Sequence, residues 1–230
     1  MSDRRVRGVS QVAEGTGATV ASQRIAETVR ERILTGQLKP GARIRQDELA
    51  GELSSSRLPV REALRILQSG GLVTLKSNRG AWVTSLDQRD CELSYQIRAR
   101  LEPLLLAESM RGLTCFDLAE LGAIQDRIEA TSDVEEFLRL DRQLHWATYR
   151  RHDADELATI IERLWDTTQH YRRAYSQLAG SSRRWIINSE HRLLIQALRD
   201  RDAETAQQVL VLHISRTLSE LKLHPEVFSQ

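Results

Sequence analysis

The chain has 230 residues, of which 40% are hydrophobic, a length and composition that allow two modest globular cores. There is no apolar run long enough to span a membrane, and the first twenty residues, rich in Arg, Gly, Ser and Thr, lack the apolar centre of a signal peptide, so a soluble cytoplasmic protein is expected. The net charge of +1 conceals an uneven distribution: residues 1–86 hold 14 Lys and Arg against 8 Asp and Glu, whereas residues 87–230 hold 19 against 24.

In chain order, residues 1–20 read as a disordered N-terminal arm. Ser22 to Leu34 form an amphipathic helix with Ile25, Val29 and Ile33 inward and Gly36 as its stop. Gln46 to Leu53 is a short helix with Leu49, Ala50 and Leu53 on one face, followed by a Ser54-Ser55 turn. Ser56 is placed to cap the next helix, and Pro59 sits in its first turn, where a missing N–H is tolerated. On that helix Val60, Ala63, Leu64 and Leu67 make an apolar side, while Arg57, Arg61 and Arg65 recur every four residues along the other. Leu72 to Lys76 and Ala81 to Ser85 read as two strands around the tip Ser77-Asn78-Arg79-Gly80. Helix, turn, basic helix and a hairpin with a cation at its tip predict a winged helix-turn-helix over residues 21–86. Ser56, Arg57, Arg61 and Arg65 are its expected DNA-facing residues, and Arg79 is the wing contact, because guanidinium can pair with guanine edges or clamp phosphate.

From residue 87 onward strand-like stretches vanish, Gly and Pro become scarce, and apolar residues recur at helical spacing. Helices are predicted at about 88–111, 115–130, 133–151, 154–178, 183–200 and 202–221, with Pro103 kinking or dividing the first. The second domain, residues 87–223, is therefore expected to be an all-helical six-helix bundle, followed by a tail over 224–230. Its core positions contain Asp141, His145, His191 and His213, each of which interrupts an otherwise apolar stripe; Asp141 and His145, four residues apart, project from one helix face. One such histidine is ordinary in a core, but three with an inward carboxylate suit a divalent transition metal: zinc first, with nickel, manganese and iron as alternatives. Cys91 and Cys115, separated by 23 intervening residues without paired-cysteine spacing, fit free thiols of no assigned function.

The segment Ser56-Arg57-Leu58-Pro59-Val60-Arg61-Glu62-Ala63-Leu64, with Pro40-Gly41 and Leu49-Ala50 upstream, resembles the DNA-binding domain of the GntR family of bacterial transcription regulators. Ser54-Ser55 departs from the family's turn, which usually has a glycine followed by an aliphatic residue. Residues 88–221 resemble the FCD ligand-binding domain of the FadR branch, in which Asp-x-x-x-His and two later histidines bind metal; all four positions are filled here. The resemblance implies a homodimeric regulator, a repressor in the first instance, on an approximately palindromic double-stranded operator, with a small organic acid joining the metal. Arg98 and Glu102 match the branch's Arg-x-x-x-Glu, which makes Arg98 the expected effector-binding residue. Two rivals remain at this point: a purely structural metal, and a metal-dependent enzyme fused to a DNA-binding head. For the enzyme, Glu190 beside His191 is the only nearby carboxylate suggesting a base, and no HExxH, nucleophile elbow or phosphate loop accompanies it.

Overall fold

A computed structural model describes the backbone of residues 8–76, 79–179 and 184–228, with side chains from Val20 onward. The chain divides into two compact units, Met1–Ser85 and Leu86–Gln230.

In the first unit, α1 (Gly8–Leu34) packs on α3 (Arg57–Ser69), and α2 (Gln46–Glu52) packs against α3 from the other direction in sequence. The amphipathic spacing in α1 and α3 explains this: Ile25, Ala26, Val29 and Ile33 meet Val60, Ala63, Leu64 and Leu67 in one core. Three strands, β1 (Arg43–Ile44), β2 (Val73–Lys76) and β3 (Gly80–Val83), form an antiparallel sheet in the order β1-β3-β2. Ile44 stands opposite Ala81, Leu75 also opposite Ala81, and Val73 opposite Val83, so the buried members of all three strands fall on the face that joins the helices. The unit is a winged helix-turn-helix. β1 is an addition to the expected hairpin; a two-residue strand leaves no alternation to read.

Two further details stand out against the sequence reading. Helix α1 starts at Gly8, so the second part of the arm expected over 1–20 is helical, consistent with the low cost of extending a helix once nucleated. Residues 1–7, and Ser77 and Asn78 of the wing tip, lie outside the described residues. In the turn between α2 and α3, Ser54 adopts φ +48°, a left-handed conformation in which glycine is favoured, so the departure from the family's turn places a strained side chain there.

The second unit is all helical: α4 (Gln88–Met110), α5 (Cys115–Ala130), α6 (Val134–Tyr149), α7 (Asp155–Ala179), α8 (Arg184–Arg199) and α9 (Ala203–Lys222). Several starts are capped by acidic or hydroxyl side chains. Asp87 accepts from the Asp90 amide, Asp133 from that of Glu136 and Asp202 from that of Thr205, while Thr114 and Asp117 form a reciprocal capping box. The Tyr171 hydroxyl accepts from the Leu86 amide at 2.7 Å and donates to its carbonyl at 2.8 Å, pinning the start of the unit to α7. Pro103 neither divides nor ends α4, which runs through it as one helix; the ring is buried, and packing offsets the lost backbone bond. Past α9 the expected tail turns back as a 3-10 segment, Pro225–Phe228, with Val227 in the core and Phe228 stacked on Tyr171 at 5.0 Å. Helix α4 packs on α6, α7 and α9, and α8 on α5 and α9, so polar residues on the inner faces of α4, α6, α7, α8 and α9 share one interior.

Candidate metal centre and DNA-facing surface

In the first unit, α3 exposes Ser56, Arg57, Arg61 and Arg65 on one side while its apolar side is buried. Ser56 occupies the N-cap position without a side-chain capping bond. Arg57 pairs with Asp47 of α2 at 2.7 Å and Arg65 with Glu62 at 2.8 Å, both on open surface. Arg79 is exposed at the wing. Its carbonyl accepts from Arg43 Nη2 at 3.3 Å, and Arg43 and Lys76 lie 5.8 and 5.0 Å from the Trp82 ring centroid. Arg43 and Lys76 were not singled out in the sequence because their proximity to Arg79 depends on the pairing of β1 and β2 with β3.

In the second unit, α6 supplies Asp141 and His145, α8 supplies His191 and α9 supplies His213, with one ligand atom of each within 4.8 Å of all the others. The imidazole centroids are 5.0 to 5.4 Å apart, and His191 Nε2 lies 3.5 Å from Asp141 Oδ1. The outer nitrogens are oriented. His191 Nδ1 donates to Gln125 Oε1 at 2.8 Å, and that amide is fixed in turn by its Nε2 donating to Glu129 and Asn188. His213 Nδ1 donates to Glu190 at 2.8 Å, and Glu190 is also held by Arg216. These bonds leave the Nε2 lone pairs of His191 and His213 facing the cluster, as outer partners do for metal-binding histidines.

The electrostatics keep His145, His191 and Asp141 free of protons. Burial pushes His191 down to about 3, with His213 adding to the effect, and burial holds His145 well below the usual histidine value. Burial alone would raise the Asp141 carboxyl, but Arg172 foremost and then the three imidazoles hold it well below the usual carboxylate range. Neutral imidazoles and an ionised carboxylate are the forms a metal requires. Both nitrogens of His145 and Nε2 of His191 are buried without a hydrogen-bond partner, an arrangement that costs about 1–3 kcal/mol per group unless something fills it. The donor set thus fits a divalent transition metal.

Beside the cluster lies a buried polar group that the sequence only partly revealed. Arg172 of α7 pairs with Asp141 Oδ2, leaving Oδ1 toward the histidines. Arg98 of α4 donates through Nε to Glu102 at 2.5 Å, and Glu102 also accepts from the Tyr149 hydroxyl at 2.7 Å and Trp165 Nε1 at 3.1 Å. Both guanidiniums lie over the Trp165 ring, at 4.2 Å for Arg98 and 4.5 Å for Arg172, and His145 abuts the same ring at 5.1 Å.

A family model described as "FCD domain" matches residues 93–216, more than half of the chain, and one described as "Bacterial regulatory proteins, gntR family" matches residues 21–83. The chain belongs to the GntR family. Among relatives of this GntR regulator, the HTH-type transcriptional regulator McbR of Escherichia coli is 30% identical over 192 residues, covering 81% of this chain and 86% of McbR. The HTH-type transcriptional repressor RspR of the same species is 24% identical, covering 84% and 85%. The solved structure of E. coli McbR/YncC superimposes with a TM-score of 0.80 at 25% identity over 89% of this chain and 98% of that one. GntR regulators bind DNA operators and typically dimerise. The enzyme alternative is set aside, since the matched models and relatives are transcriptional regulators.

Proposed function

We propose that this GntR regulator is a cytoplasmic repressor that binds an approximately palindromic operator as a homodimer and releases it when a small carboxylate joins a metal held by Asp141, His145, His191 and His213. Zinc is the first choice of metal, with nickel, manganese and iron as alternatives. The observation that carries the reading is the convergence of four ligand side chains, with buried nitrogens of His145 and His191 that have no protein partner. When bound, the ion supplies a Lewis-acidic centre with coordination positions left for an acid.

The chain's own residues do the rest. Gln125 and Glu190 orient two imidazoles, and Arg98 is the effector-binding cation. Asp141 and His145 on α6, His191 on α8 and His213 on α9 tie three helices to one centre, so a ligand arriving there acts on their mutual packing. At the operator, Arg57 and Arg61 contact bases or phosphates, Arg65 and Ser56 the backbone, and Arg79 the wing-side backbone or minor groove. The exposure of all five supports this. Among the described residues no helix is long and apolar enough to cross a membrane.

The test is an operator titration of zinc-loaded protein with and without a carboxylate that native mass spectrometry shows to be bound. The expected shift is about 1–3 kcal/mol toward weaker binding, abolished in His191→Ala. Identical titrations would instead favour a purely structural metal, a reading for which the tethering of three helices speaks.

A further inference from the structure

The buried surroundings of the candidate metal centre are unbalanced in charge. Arg98 and Arg172 are 3% and 7% exposed, and among the described residues they pair with the carboxylates of Glu102 and Asp141. Glu102, Asp141 and a divalent ion together with the two guanidiniums leave an excess of two positive charges, because the histidine ligands are neutral when coordinated. The neighbouring groups do not remove it. Arg216 and Glu190 form a pair of opposite charges beside His213, and Arg142 pairs with Asp166 near Trp165. Glu162, also near Arg142, is 53% exposed and screened by water. Uncompensated charge in a buried site is strongly unfavourable, so an anion of matching charge has the most to gain there.

Unfilled donors indicate where its second charge would go. Arg98 Nη1 and the Tyr95 hydroxyl are both buried without a hydrogen-bond partner, and the Arg98 guanidinium lies 4.9 Å from the Tyr95 ring centroid. We propose that the effector is a small dicarboxylate: one carboxylate joins the metal, and the second is received by Arg98 Nη1 and the Tyr95 hydroxyl, with Arg172 adding its charge from beside Asp141. This rests on the metal and carboxylate reading above and narrows its chemical class.

The test is calorimetric titration of full-length, zinc-loaded protein with length-matched acids, succinate against butyrate and malonate against propionate, with zinc retention checked by native mass spectrometry. A second charge-assisted contact is expected to favour the dicarboxylate of at least one pair by about tenfold or more. In Arg98→Gln that ratio should fall to about twofold or less. Breaking the pair with Glu102 can destabilise this variant, so Tyr95→Phe, which removes a hydroxyl without unpairing a charge, gives a second readout: several-fold weaker dicarboxylate binding with the monoacid unchanged. Equal affinity for both members of each pair, or a full preference in Arg98→Gln or Tyr95→Phe, overturns the proposal. In the equal-affinity case the carboxylate-on-metal reading survives; binding of neither class of acid overturns both.

Discussion

At the start of α3 the side chains of Arg57 and Asp47 are 79% and 68% exposed, so their ion pair contributes at most about 1 kcal/mol and yields readily to a better partner. A phosphate or a guanine edge is such a partner. Arg57→Ala should therefore lose about 1–3 kcal/mol of operator affinity, measured by fluorescence anisotropy on the footprinted operator, with little change in thermal stability. Affinity equal to the parent protein would remove Arg57 from the contact set. Single residues also show what the sequence could disclose. His145, His191 and His213 were legible because an imidazole in an apolar stripe breaks a pattern, and Asp141 because it lies four residues before one of them. Arg172 was not, since it adjoins Arg173 in a polar stretch of α7, where a charged residue reads as surface; its burial is tolerable because Asp141 stands opposite it and the Trp165 ring lies beneath it. Gln125 and Glu190 were equally hidden as orienting groups, because their roles depend on α5 and α9 packing against α8.

At the scale of elements, the capped helices were the most legible part of the fold. The α5 start combines a hydroxyl, a carboxylate three residues on and two arginines from beyond α6. Hydrogen bonds from Arg151 first, then from Thr114, hold the Asp117 carboxyl well below its usual range. A carboxyl with a depressed folded pKa stabilises the fold above its unfolded value of about 3.9 and loses that contribution as pH falls below it. Asp117→Asn should thus lower stability near neutral pH by about 1–2 kcal/mol, as loss of a cap does. It should also show a smaller drop in urea midpoint between pH 5 and pH 3 than the parent protein. Parallel drops would mean that the α5 cap does not contribute to acid sensitivity. The elements that escaped prediction were those without periodicity: β1 has two residues, the 3-10 segment four, and the φ of Ser54 is set by the tight turn between α2 and α3.

For the whole molecule, the first unit is basic and the second acidic, a division that suits the proposed split between operator contact and ligand sensing, and two-fold symmetry would join two copies. Helix α4 leaves Leu93, Ile97 and Leu104 exposed at 38%, 42% and 53%, and their spacing sets them on one face. Given the family's habit of dimerising, that face is the proposed seat of a second copy. The double variant Ile97→Arg, Leu104→Arg should elute as a monomer in light-scattering chromatography and bind the operator about 100-fold or more weakly, through loss of linked half-sites. A persistent dimer would place the interface elsewhere. Trp165 has a different consequence. An indole buried against two guanidiniums and the His145 imidazole emits in an environment that any ion or acid arriving there must alter, whereas Trp185 stands 67% exposed to water. The blue edge of the intrinsic fluorescence is thus a built-in optical channel for occupancy of the centre, readable without label or DNA.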